Sequence, residues 1–277
     1  MRTALISIAI LLSAGFLYGA PAADIFVIPI AGHVTGADGQ TWITDVTLHN
    51  VTSTDLIVDL AGFGSDGALI DLNAATVSIA AHGSMTLRDV VRESDVGALV
   101  VAGSGLFTMT SRIYSDGPRG SVGSDITPVH EFLDADSGQA VLPALIASSD
   151  HRTNIGFFAV ADATDLHLEV ILLDATGVTL GSRSFVVTAG TIAHRHISSR
   201  ETAPIAFDEA TARVRVTSGD GVVTTYASVV DNTSSDASFI PASIVGADQI
   251  TTLKAATAAA LKVLRAMHRL ERHRISD

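Results

Sequence analysis

The chain has 277 residues, enough for two ordinary domains, and its net charge of −12 comes from 29 acidic and 17 basic residues. The C-terminal stretch Thr251–Asp277 holds six of the basic residues and two of the acidic ones, so that, with Arg2 set aside, ten basic residues stand against 27 acidic ones in the rest of the chain. A body this acidic repels phosphate backbones, which argues against a nucleic-acid partner.

Residues 1–22 have the pattern of a cleaved export signal. Arg2 supplies a positive charge, Ala4–Phe16 is an apolar run too short to span a bilayer as a helix, and Ala20–Ala22 provides small residues at a cleavage site. The alternative is that this segment stays in place as a membrane anchor. We predict a signal peptide, no transmembrane segment after its removal, and a protein that is periplasmic, at the cell surface or extracellular.

The chain contains no cysteine. A lipid-anchored exported protein needs a cysteine at its processing site, so this kind of anchor is excluded. Secreted eukaryotic sandwich domains often carry disulfides, and the absence of cysteine therefore favours export by a bacterium. The domains must be held together by burial of their cores.

Residues 23–133 have the pattern of an all-β domain. Short stretches of alternating apolar and polar residues are separated by turns rich in Gly and Asp, as in Leu56–Leu60. Pro29 indicates either an edge strand or the end of a strand, because proline cannot donate a ladder hydrogen bond. The spacing predicts an antiparallel β-sandwich of about seven or eight strands.

One motif in this domain imitates a dinucleotide-binding loop. Gly62–Gly67 fits the spacing of the glycine fingerprint, but Ala68–Leu72 after it has the pattern of a strand, whereas the fingerprint requires a helix there. We interpret Gly62–Gly67 as a hairpin turn, and no cofactor is predicted.

Residues 139–246 repeat the features of the first domain in the same order. Leu142-Pro143, for example, corresponds to Ile28-Pro29. A shared order over many features favours a duplicated domain. The polar residues 134–138 are the predicted linker between the two copies.

Residues 247–277 are predicted to form a basic amphipathic helix. Ile250–His273 contains no Gly or Pro, and at helical spacing its apolar residues lie on one face and its basic residues on the other. The helix either docks on the acidic body, lies on an anionic membrane surface, or self-associates or binds a partner through its apolar stripe. Arg265, Arg269 and Arg272 are candidate partner contacts.

Two pairs of residues are candidate metal ligands. His194 and His196 alternate along a strand, so that both imidazoles face the same side, although no third ligand is close in sequence. Asp134 and Asp136 resemble the start of a calcium loop, but Leu145 stands near the position where the loop needs an acid. The alternative for both pairs is an ordinary polar surface.

Four polar loops are the candidate recognition elements, because loops on a rigid scaffold carry much of the binding in proteins. They are residues 32–40 and 117–123 in the first copy and 148–152 and 233–237 in the second. Trp42, the only tryptophan, borders the first loop. It is either a core residue or a partner contact.

These features resemble those of uncharacterised tandem Ig-like β-sandwich proteins exported by bacteria. The resemblance covers about Ile25 to Ala242 and is carried by the turns, by Thr44-Asp45 and Thr153-Asn154 at the start of equivalent strands, and by the closing run Phe239–Ala242. It implies a scaffolding or adhesion role without catalytic residues. The predicted C-terminal helix departs from the pattern of such chains.

The sequence predicts an all-β chain of two tandem Ig-like antiparallel β-sandwiches with a C-terminal amphipathic α-helix. We expect a non-enzymatic exported structural or binding module with a protein or cell-envelope partner, since neither a nucleophile elbow nor a phosphate-binding loop is present. The alternative is a secreted hydrolase or metal-dependent enzyme with a site assembled from separate strands.

Overall fold

The computed structural model describes residues 22–246 except 37–38, 66, 93–95, 118–119 and 137. This part of the chain is nearly all β, with antiparallel sheets and one short helix, which confirms the predicted all-β class. The predicted tail helix, and all of the predicted signal peptide except Ala22, lie outside the described residues. The elements are β1 (Ala23–Gly32), β2 (Val34–Thr35), β3 (Thr41–Asn50), β4 (Leu56–Phe63), β5 (Leu69–Ile70), β6 (Thr76–Ile79), β7 (Ser84–Leu87), β8 (Val96–Gly117), β9 (Gly120–Ile126), β10 (Gln139–Ala147), β11 (His151–Ala161), β12 (Leu166–Asp174), β13 (Thr179–Val187), β14 (Ile192–Ser198), α1 (Ser199–Thr202), β15 (Phe207–Ser218), β16 (Gly221–Asp231), β17 (Ala237–Pro241) and β18 (Ser243–Val245).

The 22-residue strand β8 organises the first half of the chain. Its N-terminal part pairs with β1 on one side and β4 on the other, and its C-terminal part pairs with β3 and β9. Gly103 lies between the two parts, and a Cβ atom there would come within 2.8 Å of the Phe107 ring. One continuous strand is therefore shared by both sets of pairings.

The second half uses separate strands for the same pairings. One sheet has the order β13-β12-β15-β10-β18, and the other has the order β14-β11-β16-β17. In the first half the corresponding orders are β6-β4-β8-β1 and β7-β3-β8-β9. The strands therefore follow one another in the same spatial order in both halves.

Proline has the same position in the two halves. Pro29 lies in β1 where the register with β8 shifts between Ile28 and Ala31, and Pro143 lies in β10 where the register with β15 shifts between Leu142 and Leu145. A bulge tolerates a residue that lacks a backbone N–H. Within the described residues β1 has a ladder only with β8, and its other edge forms an isolated bridge between Val27 and Val129.

The glycine motif begins in β4, where Gly62 pairs with Ile70 of β5 in antiparallel fashion. The N–H of Gly64 donates to Ala68 O at 2.8 Å, and Gly67 has a positive φ of 79°. A strand rather than a helix follows the glycines, so the hairpin interpretation is confirmed.

Each half encloses a hydrophobic core between its two sets of strands. The core of the first half contains Phe26, Leu48 and Phe107, and that of the second contains Phe157 and Leu168 among other buried residues. Alternate residues of the surrounding strands point into these cores, as the period of a β-strand requires.

A third core joins the halves to each other. Its residues come from β1, β4 and β8 of the first half, from β11, β14 and β16 of the second, and from the connecting segment. They are Ile25, Val27, Phe63, Ala98, Val100, Ala102, Phe132, Phe158, Val160, Ile192 and Val222. The rings of Phe63 and Phe158 lie 5.8 Å apart across this shared core.

The sequence of β1 explains why a shared core can form. Ile25–Ile28 are all buried, with Phe26 and Ile28 in the core of the first half and the two residues that alternate with them in the shared core. Ala98–Ala102 in β8 is also buried without interruption. An unbroken run of apolar residues indicates a strand that is buried on both faces, whereas alternating apolar and polar residues indicate a strand with one solvent-exposed face.

The predicted boundaries at 133 and 139 remain predictions. Leu133 belongs to the core of the second half and pairs with Val223 of β16, and Val129 pairs with Val27 of β1. The connection is therefore attached to both halves. None of the helices in the described residues has the length and apolar character needed to cross a membrane.

The shared core predicts a large effect for Phe158→Ala. Removing this buried ring should lower the free energy of unfolding by about 3 kcal/mol, because the lost burial and the cavity add together. Urea unfolding of the chain measures the change. Val186→Ala, at a site that is 49% exposed, is the control and should change stability by less than about 0.5 kcal/mol. Equal effects of the two variants would contradict a packed shared core.

Candidate functional site

One outer face of the first half is polar across four neighbouring strands. Val46 and Leu48 of β3 point into the core, so the residues that alternate with them point outwards. We call this surface the polar face; it consists of Ser84 and Thr86 of β7, Asp45, Thr47 and His49 of β3, Thr108, Thr110 and Arg112 of β8, and Asp125 of β9.

The polar face is arranged in rows that run across the strands. In the central row Thr47 lies opposite both Thr86 and Thr110, and the hydroxyls of Thr47 and Thr86 are 3.0 Å apart. In the next row Asp45 lies opposite Arg112, which in turn lies opposite Asp125. The rows thus present hydroxyls beside charges of alternating sign.

Hydrogen bonds fix the charged row. Asp45 accepts the backbone N–H of Asp89 at 2.9 Å and the Tyr114 hydroxyl at 3.3 Å. Burial, and then the negative charge of Asp45, raise the pKa of Tyr114, so this hydroxyl stays protonated as a donor. The Arg112 guanidinium lies 5.1 Å from the centre of the Tyr114 ring and donates to the Ser121 hydroxyl at 2.8 Å.

A groove of about 490 Å³ runs over this face and is lined by Asp45, Thr47, Thr110, Arg112 and Asp125, among others. Because the lining side chains stand on paired strands, their positions are set before any ligand arrives. Such a surface suits an extended polar ligand that exchanges many hydrogen bonds.

A second groove lies where the two halves meet and has a volume of about 210 Å³. We call it the Trp42 groove. Three of the four predicted recognition loops reach it, through Gln40 of the first loop, Arg152 of the third and Ala237 of the fourth. The lining residues are Ile30, Gly36, Gln40, Trp42, Ile113, Ser124 and Ile126 of the first half and Arg152, Ser228, Val230, Ser235, Ala237 and Phe239 of the second.

The connecting segment borders a third cavity, of about 430 Å³, between Pro128–Leu133 and the strands β16 to β18. His130 lines it and packs its ring against Phe26 at 5.8 Å. Burial lowers the pKa of His130, which keeps its imidazole neutral at pH 7. Glu131, an exposed neighbour, is the acidic residue of this lining.

The structure places His194 and His196 on the same side of β14, as predicted, but in different surroundings. His196 is exposed, whereas His194 is 1% exposed. The His194 imidazole is hydrogen-bonded to the Pro29 carbonyl of the first half. It also stacks on Tyr226, with a distance of 3.3 Å between its Nε2 and the tyrosine hydroxyl. This histidine therefore contributes to the contact between the halves.

Burial, and then the nearby His196, lower the pKa of His194 to about 4. Tyr226 is fully buried beside it, and burial raises the pKa of that phenol as well. Gly156 makes room for this ring, because a Cβ atom there would lie 2.1 Å from Tyr226 Cζ. The pair is neutral at pH 7.

The other candidate metal ligands and partner contacts do not form a common site. Asp134 accepts the N–H of Asp136 at 3.0 Å, which closes a local turn. Among the residues that the structure describes, no group of three or more His, Asp or Glu side chains is arranged to hold a metal ion. Arg265, Arg269 and Arg272 lie outside the described part of the chain.

The polar face was not predicted from the sequence. Its signal is the alternation of Thr108, Thr110 and Arg112 in β8, opposite Asp45 and Thr47 in β3. Any solvent-facing strand shows such alternation, so the pattern alone does not mark a binding surface.

No protein-family model matches the chain, and no curated protein matches it. Solved structures show weak likeness. The chain is 10% identical to a glycosyl hydrolase family 2 member from Bacteroides cellulosilyticus, with 78% of this chain and 28% of that chain covered and a TM-score of 0.18. For β-glucuronidase 2 from Bacteroides uniformis the identity is 8%, the coverages are 73% and 24%, and the TM-score is 0.19.

A protein of the infectious bursal disease virus Gx strain is 11% identical, with coverages of 79% and 71% and a TM-score of 0.20. The chain spans about a quarter of the length of the two bacterial enzymes, given the coverages of 28% and 24%. TM-scores this low do not establish a common fold.

The buried His194 predicts a loss of stability in acid. Its pKa is about 4 when folded and near 6.5 when unfolded, so below pH 6.5 the unfolded state takes up a proton that the folded state does not. The free energy of unfolding should therefore fall by about 3 kcal/mol more in the wild type than in His194→Gln between pH 7 and pH 4. Urea titrations at several pH values measure the difference.

His167→Gln is the matched control, because this histidine is exposed on β12 of the same half. It should keep the pH dependence of the wild type. If His194→Gln also keeps it, His194 is not the group that titrates.

Proposed function

We propose that this chain is an exported, non-enzymatic binding module that holds a hydroxyl-rich polymer of the cell envelope on its polar face. The observation that carries the proposal is the row arrangement on that face. Thr86, Thr47 and Thr110 stand side by side on three strands, next to the row of Asp45, Arg112 and Asp125. A hydroxyl both donates and accepts, so a polysaccharide chain can pair with each of these groups.

The geometry supports binding because the groups are held in place by the fold. The strands beneath the face are anchored by a dry core, and the hydrogen bonds of Asp45 and Thr47 restrict their side chains. Side chains that are already ordered lose little entropy when a ligand binds. An extended partner is favoured because the face spans four strands rather than closing around a small molecule.

The architecture proposed for the module is a tandem pair of Ig-like sandwiches produced by duplication. The equal strand orders of the two halves and the bulged prolines Pro29 and Pro143 support this interpretation. Export rests on the pattern of residues 1–22, and the absence of cysteine favours a bacterial source. A cell-envelope partner follows from the proposed location.

Co-sedimentation of residues 23–277 with purified bacterial sacculi and with insoluble envelope polysaccharide tests the binding. The wild type should sediment with at least one of these polymers. Thr110→Arg, which places a bulky charge in the centre of the polar face, should weaken binding at least tenfold. Prolonged incubation should release no soluble sugar, because the proposed role is not enzymatic.

Thr217→Arg supplies the matched control, since it makes the same substitution at an exposed position in β15 of the second half. It should bind as the wild type does. Equal binding by both variants would place the site elsewhere. Failure of the wild type to bind either polymer would refute the proposed ligand, and release of sugar would refute the non-enzymatic role.

A further inference from the structure

The Trp42 groove differs in chemistry from the polar face. Apolar side chains form most of its wall, with Ile30, Trp42 and Ile113 from the first half and Val230 and Phe239 from the second. At about 210 Å³ it accommodates a small molecule or the end of a chain but not the body of a polymer. This groove is therefore separate from the surface of the proposed function.

Two of the polar side chains around the groove, Trp42 and Arg152, can only donate hydrogen bonds. Trp42 contributes an indole N–H, for which the described residues provide no acceptor, and Gln40 contributes an amide. No Asp or Glu is among the described residues that line it, although acidic residues outnumber basic ones in the chain, 29 to 17.

Arg152 supplies a positive charge at the groove. Its Nη1 donates to the side-chain oxygen of Asn232 at 2.7 Å, and no carboxylate of the described residues lies within ion-pair distance of it. Its guanidinium has five N–H groups, of which this bond uses one. A planar guanidinium with free donors matches the two oxygens of a carboxylate.

The groove is formed before any ligand binds. Its two sides are held by the contact between β9 and β17, where the Ser124 hydroxyl donates to the carbonyl of Ala237. Phe239 also stacks on the buried Tyr226, with 5.6 Å between ring centres. An apolar ligand therefore need not open the two halves.

We propose that the Trp42 groove binds a small apolar molecule that carries a carboxylate. The apolar part lies against Trp42 and Ile113, and the carboxylate pairs with Arg152. Such chemistry is offered by a free aryl or acyl carboxylic acid and by the C-terminal carboxylate of a peptide that ends in an apolar residue. Charge complementarity with Arg152 and the absence of carboxylates among the described lining residues select this ligand over an apolar amine or a neutral molecule.

The single tryptophan provides a direct readout, because a protein labelled with nitrogen-15 gives one indole N–H signal. The probes are hydrocinnamate and octanoate as free acids, and N-acetyl-glycyl-phenylalanine as a chain end. Their neutral amides are the charge controls. We expect each carboxylate that binds to shift the indole signal with saturation, and its amide to bind at least tenfold more weakly, since charge-assisted hydrogen bonds contribute that much.

Arg152→Gln should reduce the affinity of the carboxylates to that of their amides. Arg213→Gln, at an exposed site on β15, is the matched control and should bind as the wild type does. Ser228→Leu, which fills the groove, should abolish binding of both acids and amides. The relative affinities of the free acids and the blocked dipeptide decide between the two sources of the carboxylate.

Three results would overturn the proposal: an indole signal that no carboxylate shifts up to tens of millimolar, equal affinity for acids and amides, or equal effects of Arg152→Gln and Arg213→Gln. Thr110→Arg should leave the indole titration unchanged, because the polar face lies on another surface. The failure of one proposal is thereby distinguished from the failure of the other.

Discussion

The burial of apolar residues on both faces of β1 and β8 is the constraint on which the molecule depends. A sheet packed on a single core has one buried face, but Ile25, Val27 and Val100 would lie on a water-facing side if the first half stood alone. The second half covers them with Phe158 and its neighbours. The halves are thus fixed relative to each other by the same hydrophobic effect that closes each separate core.

Because the two halves are held in a fixed relative position, a groove forms between them. The Trp42 groove takes one wall from β3 and β8 and the other from β16 and β17, so neither half contains the complete groove. The polar face, in contrast, belongs to the first half alone and points away from the joint. One molecule therefore presents a polar surface on the first half and, between the halves, an apolar groove with Arg152 in its lining.

Much of the fold was predictable from local patterns, and the part that was not depends on contacts between distant residues. Alternation and turns indicated the strands, and the position of Pro29 coincides with a shift in the register of β1 and β8. The same-side placement of His194 and His196 also followed from the period of a strand. The burial of His194 did not, because the groups that cover it include Pro29 of the other half.

The two surfaces were predictable to different degrees. Loops were expected to carry recognition, and three of them do surround the Trp42 groove. The loops come together at this groove because the two halves pack against each other, and the sequences of the loops do not indicate that packing. The polar face had no distinctive signal, since its threonines occupy positions that any wet strand fills with polar residues.

The pairing of β1 with β8 also determines the order in which the chain can fold. Ile25 of β1 pairs with Ala102 of β8, so β1 has no ladder partner until β8 has been synthesised. The face of β1 that carries Ile25 and Val27 is covered only after β11 and β16 have been synthesised as well. Contacts this distant along the chain form slowly, because the closure of a long loop precedes any gain from burial. The apolar residues on both faces of β1 therefore stay uncovered until β8 and the strands of the second half have formed.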